Sequence, residues 1–149
     1  MACELCEHPQ TPAWPLVWQN AQLRVVRVVD APEFPAFYRV IWNGHIAEFS
    51  QLSPAQRHLC MDVVAAVEQV LRDALAPTKV NLAALGNMVP HLHWHVIARF
   101  DWDSHFPQPI WGARQRTPQP PTAQRLNDAL LAELDDCVRA ALAPFAFPL

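Results

Sequence analysis

The sequence predicts an α+β domain: a mainly antiparallel sheet, one long helix after the third strand, and a second helix near the C-terminus. Three observations predict it. β-favouring apolar runs come in groups joined by short turns, which suits antiparallel neighbours and leaves no room for parallel crossovers. Residues 53–76 repeat apolar side chains at helical spacing, and residues 122–142 do so again. Finally, 149 residues that are 52% apolar suffice for one domain, 1–149, with a substantial core.

The elements follow in order. Residues 1–15 carry Pro9, Pro12 and Pro15 and read as an irregular N-terminal segment. Leu16 to Trp18 is a short strand, Gln19-Asn20 a turn, and valine-rich Leu23 to Val29 a second strand. Two prolines make Asp30 to Pro35 a loop. Phe37 to Trp42 is the third strand, Asn43-Gly44 a turn, and His45 stands just beyond it. Ser53 caps the long helix, Pro54 occupies its first position where no amide is needed, and Leu59, Val63, Val67, Val70 and Leu71 form its apolar stripe. Pro77 ends it. Lys79 to Leu85 is a strand, Gly86-Asn87 a turn, and His91 to Phe100 the last strand. Asp101 to Pro121 is proline-rich but carries Trp102 and Trp111, which argues for a packed loop with a purpose. Thr122 then opens the final helix, with Leu126, Leu130, Leu134 and Val138 on one face and Pro144 after it.

Composition excludes several classes. The formal net charge is −3, Lys79 is the only lysine, and the arginines are scattered, so no basic patch offers itself to nucleic acid. No apolar run is long enough to span a bilayer, so no membrane partner is expected. The start, MACELCEHPQ, lacks the positive and apolar regions of a signal peptide, and a cytoplasmic protein is expected. Cys60 and Cys137 fall in helical patterns and read as small buried apolar residues. Cys3 and Cys6 form C-x-x-C, which in a reducing compartment points to metal or redox chemistry; with no strand ahead of it, redox is disfavoured.

The densest signal is PHLHWHVIARF, residues 90–100, where His91, His93 and His95 alternate with apolar residues. On a strand the three imidazoles share one face, while Leu92, Trp94 and Val96 face a core. Such a face can be a solvated polar surface, a metal cluster, or a nucleophilic site in which one neutral imidazole attacks phosphorus and its neighbour handles a proton.

HLHWHVI, at 91–97, resembles the H-x-H-x-H signature of the histidine-triad (HIT) family, and NLAALGNMVP at 81–90 resembles that family's approach to the strand. The resemblance runs from the C-x-x-C to about Gly112. It implies a nucleotide hydrolase or transferase of α+β fold that forms homodimers and acts on a small nucleotide substrate. It assigns His93 as the nucleophile at the α-phosphorus and His95 as the residue beside the phosphate that assists proton transfer. Asn81 and Asn87 then fall near the phosphate and the leaving group, and Asp30 near the ribose hydroxyls. It further implies a structural zinc on Cys3, Cys6, His45 and His91, with no cofactor needed for the chemical step. Arg99, Arg114 and Arg116 are candidates for additional phosphates. His8, His58 and His105 have no partner pattern and read as surface residues, His105 with a possible place at the site from its loop.

Two positions depart from the family pattern. Phe37 stands where relatives carry a histidine, and Met88 where they carry a hydroxyl residue. A nucleotide-binding module with little turnover, and a zinc hydrolase with its metal on His91, His93 and His95, are the competing readings.

Overall fold

A computed structural model describes residues 3–7 and 14–147. A five-stranded antiparallel sheet runs in the order β1-β2-β3-β5-β4. Its strands are β1 (Leu16–Gln19), β2 (Leu23–Arg27), β3 (Phe37–Trp42), β4 (Lys79–Ala83) and β5 (His93–Arg99). The helices are the one-turn α1 (Glu4–Glu7), the long α2 (Pro54–Leu75) and α3 (Asp128–Leu142). The predicted class and the order of the five strands and two long helices are those observed, while α1 falls in a segment expected to be irregular. Among the described residues, no helix is long and apolar enough to cross a membrane.

Strand alternation divides the sheet into two faces. Val25, Tyr38, Val40, Trp42, Val80, Val96 and Ala98 point to the helices and are buried there with Val63, Val64, Val67 and Leu71 of α2 and Leu134 and Val138 of α3. Asp135 fixes α3 to the sheet: it accepts from Tyr38 Oη at 2.7 Å and pairs with Arg27 Nε at 2.9 Å. The opposite face carries Val26, Phe37, Arg39, Ile41, His93, His95 and Ile97, and neither α2 nor α3 packs on it.

The start of α2 follows the sequence reading. Ser53 Oγ accepts from Gln56 N, Gln56 returns a bond to Ser53 N, and Pro54 opens the helix. Its end at Ala76 adopts a left-handed conformation, φ 44°. Elsewhere the boundaries differ. The last helix opens at Asn127, whose side chain accepts from Leu130 N at 2.9 Å, and Thr122–Gln124 is only a 3-10 turn ahead of it. Asparagine outcompetes threonine as a cap, which moves the start by a turn and a half. β5 begins at His93 because the chain before it is turned: His91 N donates to Val89 O at 2.8 Å, and Leu92 N to Ile46 O at 2.7 Å. β2 and β4 also stop two residues short of their predicted ends. Cys60 is buried, as its pattern predicts, but Cys137 lies on the exposed side of α3. Residues 8–13, including His8, lie outside the described residues.

Candidate active site and metal centre

The three alternating histidines part company. His91, ahead of β5, is fully buried, and its Nε2–H donates to Trp42 O at 2.6 Å. A carbonyl only accepts, so the proton is on Nε2 and the Nδ1 lone pair faces the other way. There it meets Cys3 Sγ at 3.4 Å and Cys6 Sγ at 3.3 Å. His45 Nδ1 closes the group at 3.4 Å from Cys6 Sγ. The four ligand atoms of Cys3, Cys6, His45 and His91 all lie within 4.8 Å of one another.

Zinc bonds of about 2.3 Å to sulfur and 2.0–2.1 Å to nitrogen give tetrahedron edges of roughly 3.5 Å. The three sulfur–nitrogen separations of 3.3–3.4 Å match, the donor set is of the closed structural type, and the bond from His91 to Trp42 O is the outer contact that fixes a ligand's tautomer. These residues therefore fit a zinc ion. Burial and the adjacent Cys3 thiol raise the Cys6 pKa. The one-turn α1 is what points both sulfurs the same way: Cys6 N and Glu7 N both bond back to Cys3 O at 2.9 Å.

His93 and His95 stay on the open face of the sheet, 7% and 3% exposed, with ring centroids 4.9 Å apart. His93 Nδ1–H donates to His91 O at 2.6 Å, and His95 Nδ1–H donates to Ala83 O at 2.9 Å. Both rings are thus held in one tautomer, each with Nε2 left as the acceptor. Burial lowers both pKa values, that of His95 to about 4, so both are neutral near pH 7. A neutral, oriented imidazole is a nucleophile and a proton acceptor. The rings are bounded by Phe37, 5.7 Å from His95, and by Trp111, whose ring stands edge-on at 4.9 Å.

Trp111 reaches His95 because the loop after β5 is tied down at Arg99. This arginine is 1% exposed, pairs with Asp103 at 2.7 Å, and donates to Asn81 Oδ1 and Gln108 O. Asp103 in turn accepts from the backbone of Phe100, His105 and Phe106. Its pKa is lowered because those bonds and Arg99 outweigh the burial that opposes them. The three arginines considered for additional phosphates are therefore engaged: Arg99 here, Arg114 with Glu33, and Arg116 with the carbonyls of Asp103 and Phe106. His105 bonds Ser104 Oγ and packs against Phe34, so it supports the loop; His58 is exposed on α2.

Of the remaining expected site residues, Asn81 lies on the histidine face one pair beyond His95, with its carbonyl oxygen held by Arg99. Asn87 is exposed in the bend after Gly86, and Asp30 is exposed in the loop after β2. Among the described residues no hydrogen bond joins any of the three to His93 or His95. One residue that the sequence reading passed over is Arg39, paired in register with His95 and stacked on Trp14. The alternation of FYRVIW did contain it: Phe37, Arg39 and Ile41 share a face, and only the pairing with β5 makes that the histidine face.

The HIT domain family model matches residues 8–102. Among solved structures, a histidine triad protein from Bradyrhizobium japonicum is 25% identical with a TM-score of 0.69, over 86% of this chain and 90% of that one. A histidine triad (HIT) protein from Sinorhizobium meliloti is 22% identical with a TM-score of 0.70, over 91% and 94%. A Zn-bound histidine triad family protein from Mycobacterium smegmatis is 19% identical with a TM-score of 0.59, over 97% and 96%. No curated protein matches the chain significantly.

Proposed function

Because the chain belongs to the histidine-triad family, we propose that it cleaves a dinucleoside polyphosphate or a nucleoside phosphoramidate at the α-phosphorus, through a covalent intermediate on His93. One observation carries this reading: His93 and His95 donate Nδ1–H to backbone carbonyls and turn neighbouring Nε2 lone pairs to the open face. His93 Nε2 attacks phosphorus, the bond to the leaving group breaks with its electron pair, a proton relayed by His95 from solvent water goes to the departing nitrogen or oxygen, and a nucleotidyl-histidine forms. Water then attacks the same phosphorus and His95 takes its proton, so that the N–P bond breaks and a nucleoside monophosphate leaves. Two easier displacements replace one hard one. Burial keeps both imidazoles neutral, the form each step needs.

Cys3, Cys6, His45 and His91 would hold a structural zinc, a reading supported by their donor set and spacing and by the Zn-bound relative. The ion ties the N-terminal segment to the sheet beside the histidines and takes no part in bond breaking.

The test is release of AMP from a diadenosine polyphosphate and from an adenosine phosphoramidate by the wild type and by His93→Ala. Turnover of at least one substrate is expected, with a loss of about 10³-fold or more in the variant and no immediate effect of a chelator. Binding without AMP release would instead favour a nucleotide-binding module. Activity that survives in His93→Ala but vanishes at once with chelator would make the histidines a metal site.

A further inference from the structure

Arg39 is the one charged side chain that β3 presents on the histidine face, and the mechanism above does not use it. It is half-buried, and it enters no hydrogen bond or ion pair among the described residues. Its Nε is sealed from solvent without an acceptor, and so is the neighbouring Trp14 Nε1. Holding a guanidinium there costs desolvation, and among the described residues no hydrogen bond offsets it. Asp30 and Glu4 act on it only through space.

Its head is also aimed. The guanidinium carbon sits 4.5 Å from the centroid of the Trp14 ring and 5.8 Å from that of Phe37. Trp14 itself packs on Val26 and Ile41 on one side and on Val28, Phe34 and Phe37 on the other. Arg39 therefore stands on this face between Val26 of β2 and His95 of β5, and its charge is felt by His93 and His95 on one side and by Asp30 on the other. The head is stacked on Trp14 and bonded to neither histidine. That place suits a reader of whatever spans the sheet face from His93 to Asp30. If the proposed function holds, the occupant is the nucleoside: with phosphorus at His93 on β5 and ribose at Asp30 after β2, it must cross β3 where Arg39 stands.

We propose that Arg39 is the base-specificity residue, its guanidinium edge selecting a nucleobase with paired acceptors, such as the O6 and N7 of guanine, over adenine. A guanidinium donates and never accepts, so adenine's amino group in place of O6 sets donor against donor. Stacking on Trp14 holds the fork in one plane before the ligand arrives.

The experiment is calorimetric binding of GMP, IMP and AMP to the full chain and to Arg39→Met, which keeps an unbranched stem against Trp14. Wild type should bind GMP and IMP about tenfold or more tightly than AMP. Arg39→Met should lose that margin by weakening GMP and IMP while AMP affinity holds or rises as the donor clash is removed, which also shows the variant is folded. Equal affinity of all three for wild type would overturn the base preference alone. Tight GMP with weak IMP would overturn it too, by giving the choice to the 2-amino group. A uniform loss in Arg39→Met would make Arg39 a phosphate anchor or a structural residue. No binding of any nucleotide to wild type would remove the nucleotide-site reading as well.

Discussion

His93 and His95 differ from His91 by where their protons sit. Each of the three rings bonds a backbone carbonyl, but His91 uses Nε2 while His93 and His95 use Nδ1. That one choice sends the first lone pair to sulfur and the other two to the open face. The sequence named all three residues, and the resemblance sorted them into ligand and catalytic pair; the tautomers needed the carbonyls of Trp42, His91 and Ala83, which no local pattern places. The burial that neutralises His95 has a stability consequence. Its pKa falls from 6.5 to about 4 on folding, so between those values the unfolded chain binds the additional proton. The stabilisation is complete above about pH 6.5 and is lost as pH falls toward 4, on the order of 3 kcal/mol in all. Denaturant titrations from pH 7 to 4.5 should show wild-type stability falling with acid and a shallower fall in His95→Gln. Parallel slopes would show that His95 is not the group responsible.

At the scale of elements, β5 and the loop after it do most of the positioning. The strands were legible because their alternation is strong, as in FYRVIW and HWHVIAR. Their ends were not, because distant partners set them: Ile46 O takes Leu92 N and so keeps His91 out of the strand. The start of α3 was misplaced because Thr122 and Asn127 are both credible caps, and it is Asn127 whose side chain takes the Leu130 amide while Thr122 opens only a 3-10 turn. The loop at 101–121 was expected to pack through its tryptophans; Trp102 packs on the core while Trp111 is 52% exposed, and the Arg99–Asp103 pair that anchors the loop was not foreseen. Arg99→Met leaves Asp103 as a buried charge without its cation, a change that costs roughly 3–5 kcal/mol. The denaturation midpoint should drop accordingly, and Trp111 should leave His95, shifting its emission. A stability unchanged from wild type would show the loop is held elsewhere.

For the whole molecule, the N-terminal segment reaches the sheet through four side chains drawn from three separate places, Cys3 and Cys6, His45, and His91. The sequence offered the ligand types, and the resemblance offered the set; that α1 turns both thiols toward His91 emerges only from the fold. A structural ion there makes metal content a matter of global stability. Prolonged chelation should lower Tm and Cys3→Ser should mimic it, more so in acid because thiols and imidazoles must be deprotonated to bind. A Tm indifferent to chelator would leave the four residues as a hydrogen-bonded cluster.

The central claim is that His93 bonds to phosphorus, and it can be seen directly. Wild type would be mixed with a dinucleoside polyphosphate labelled at the α-phosphate, quenched in alkali within one turnover, and digested for peptide mapping. The account predicts label bound to the peptide carrying His93, stable in alkali and lost in acid as an N–P bond is, with none in His93→Ala. Product release with no labelled protein at any time, or label that persists in His93→Ala, would contradict it.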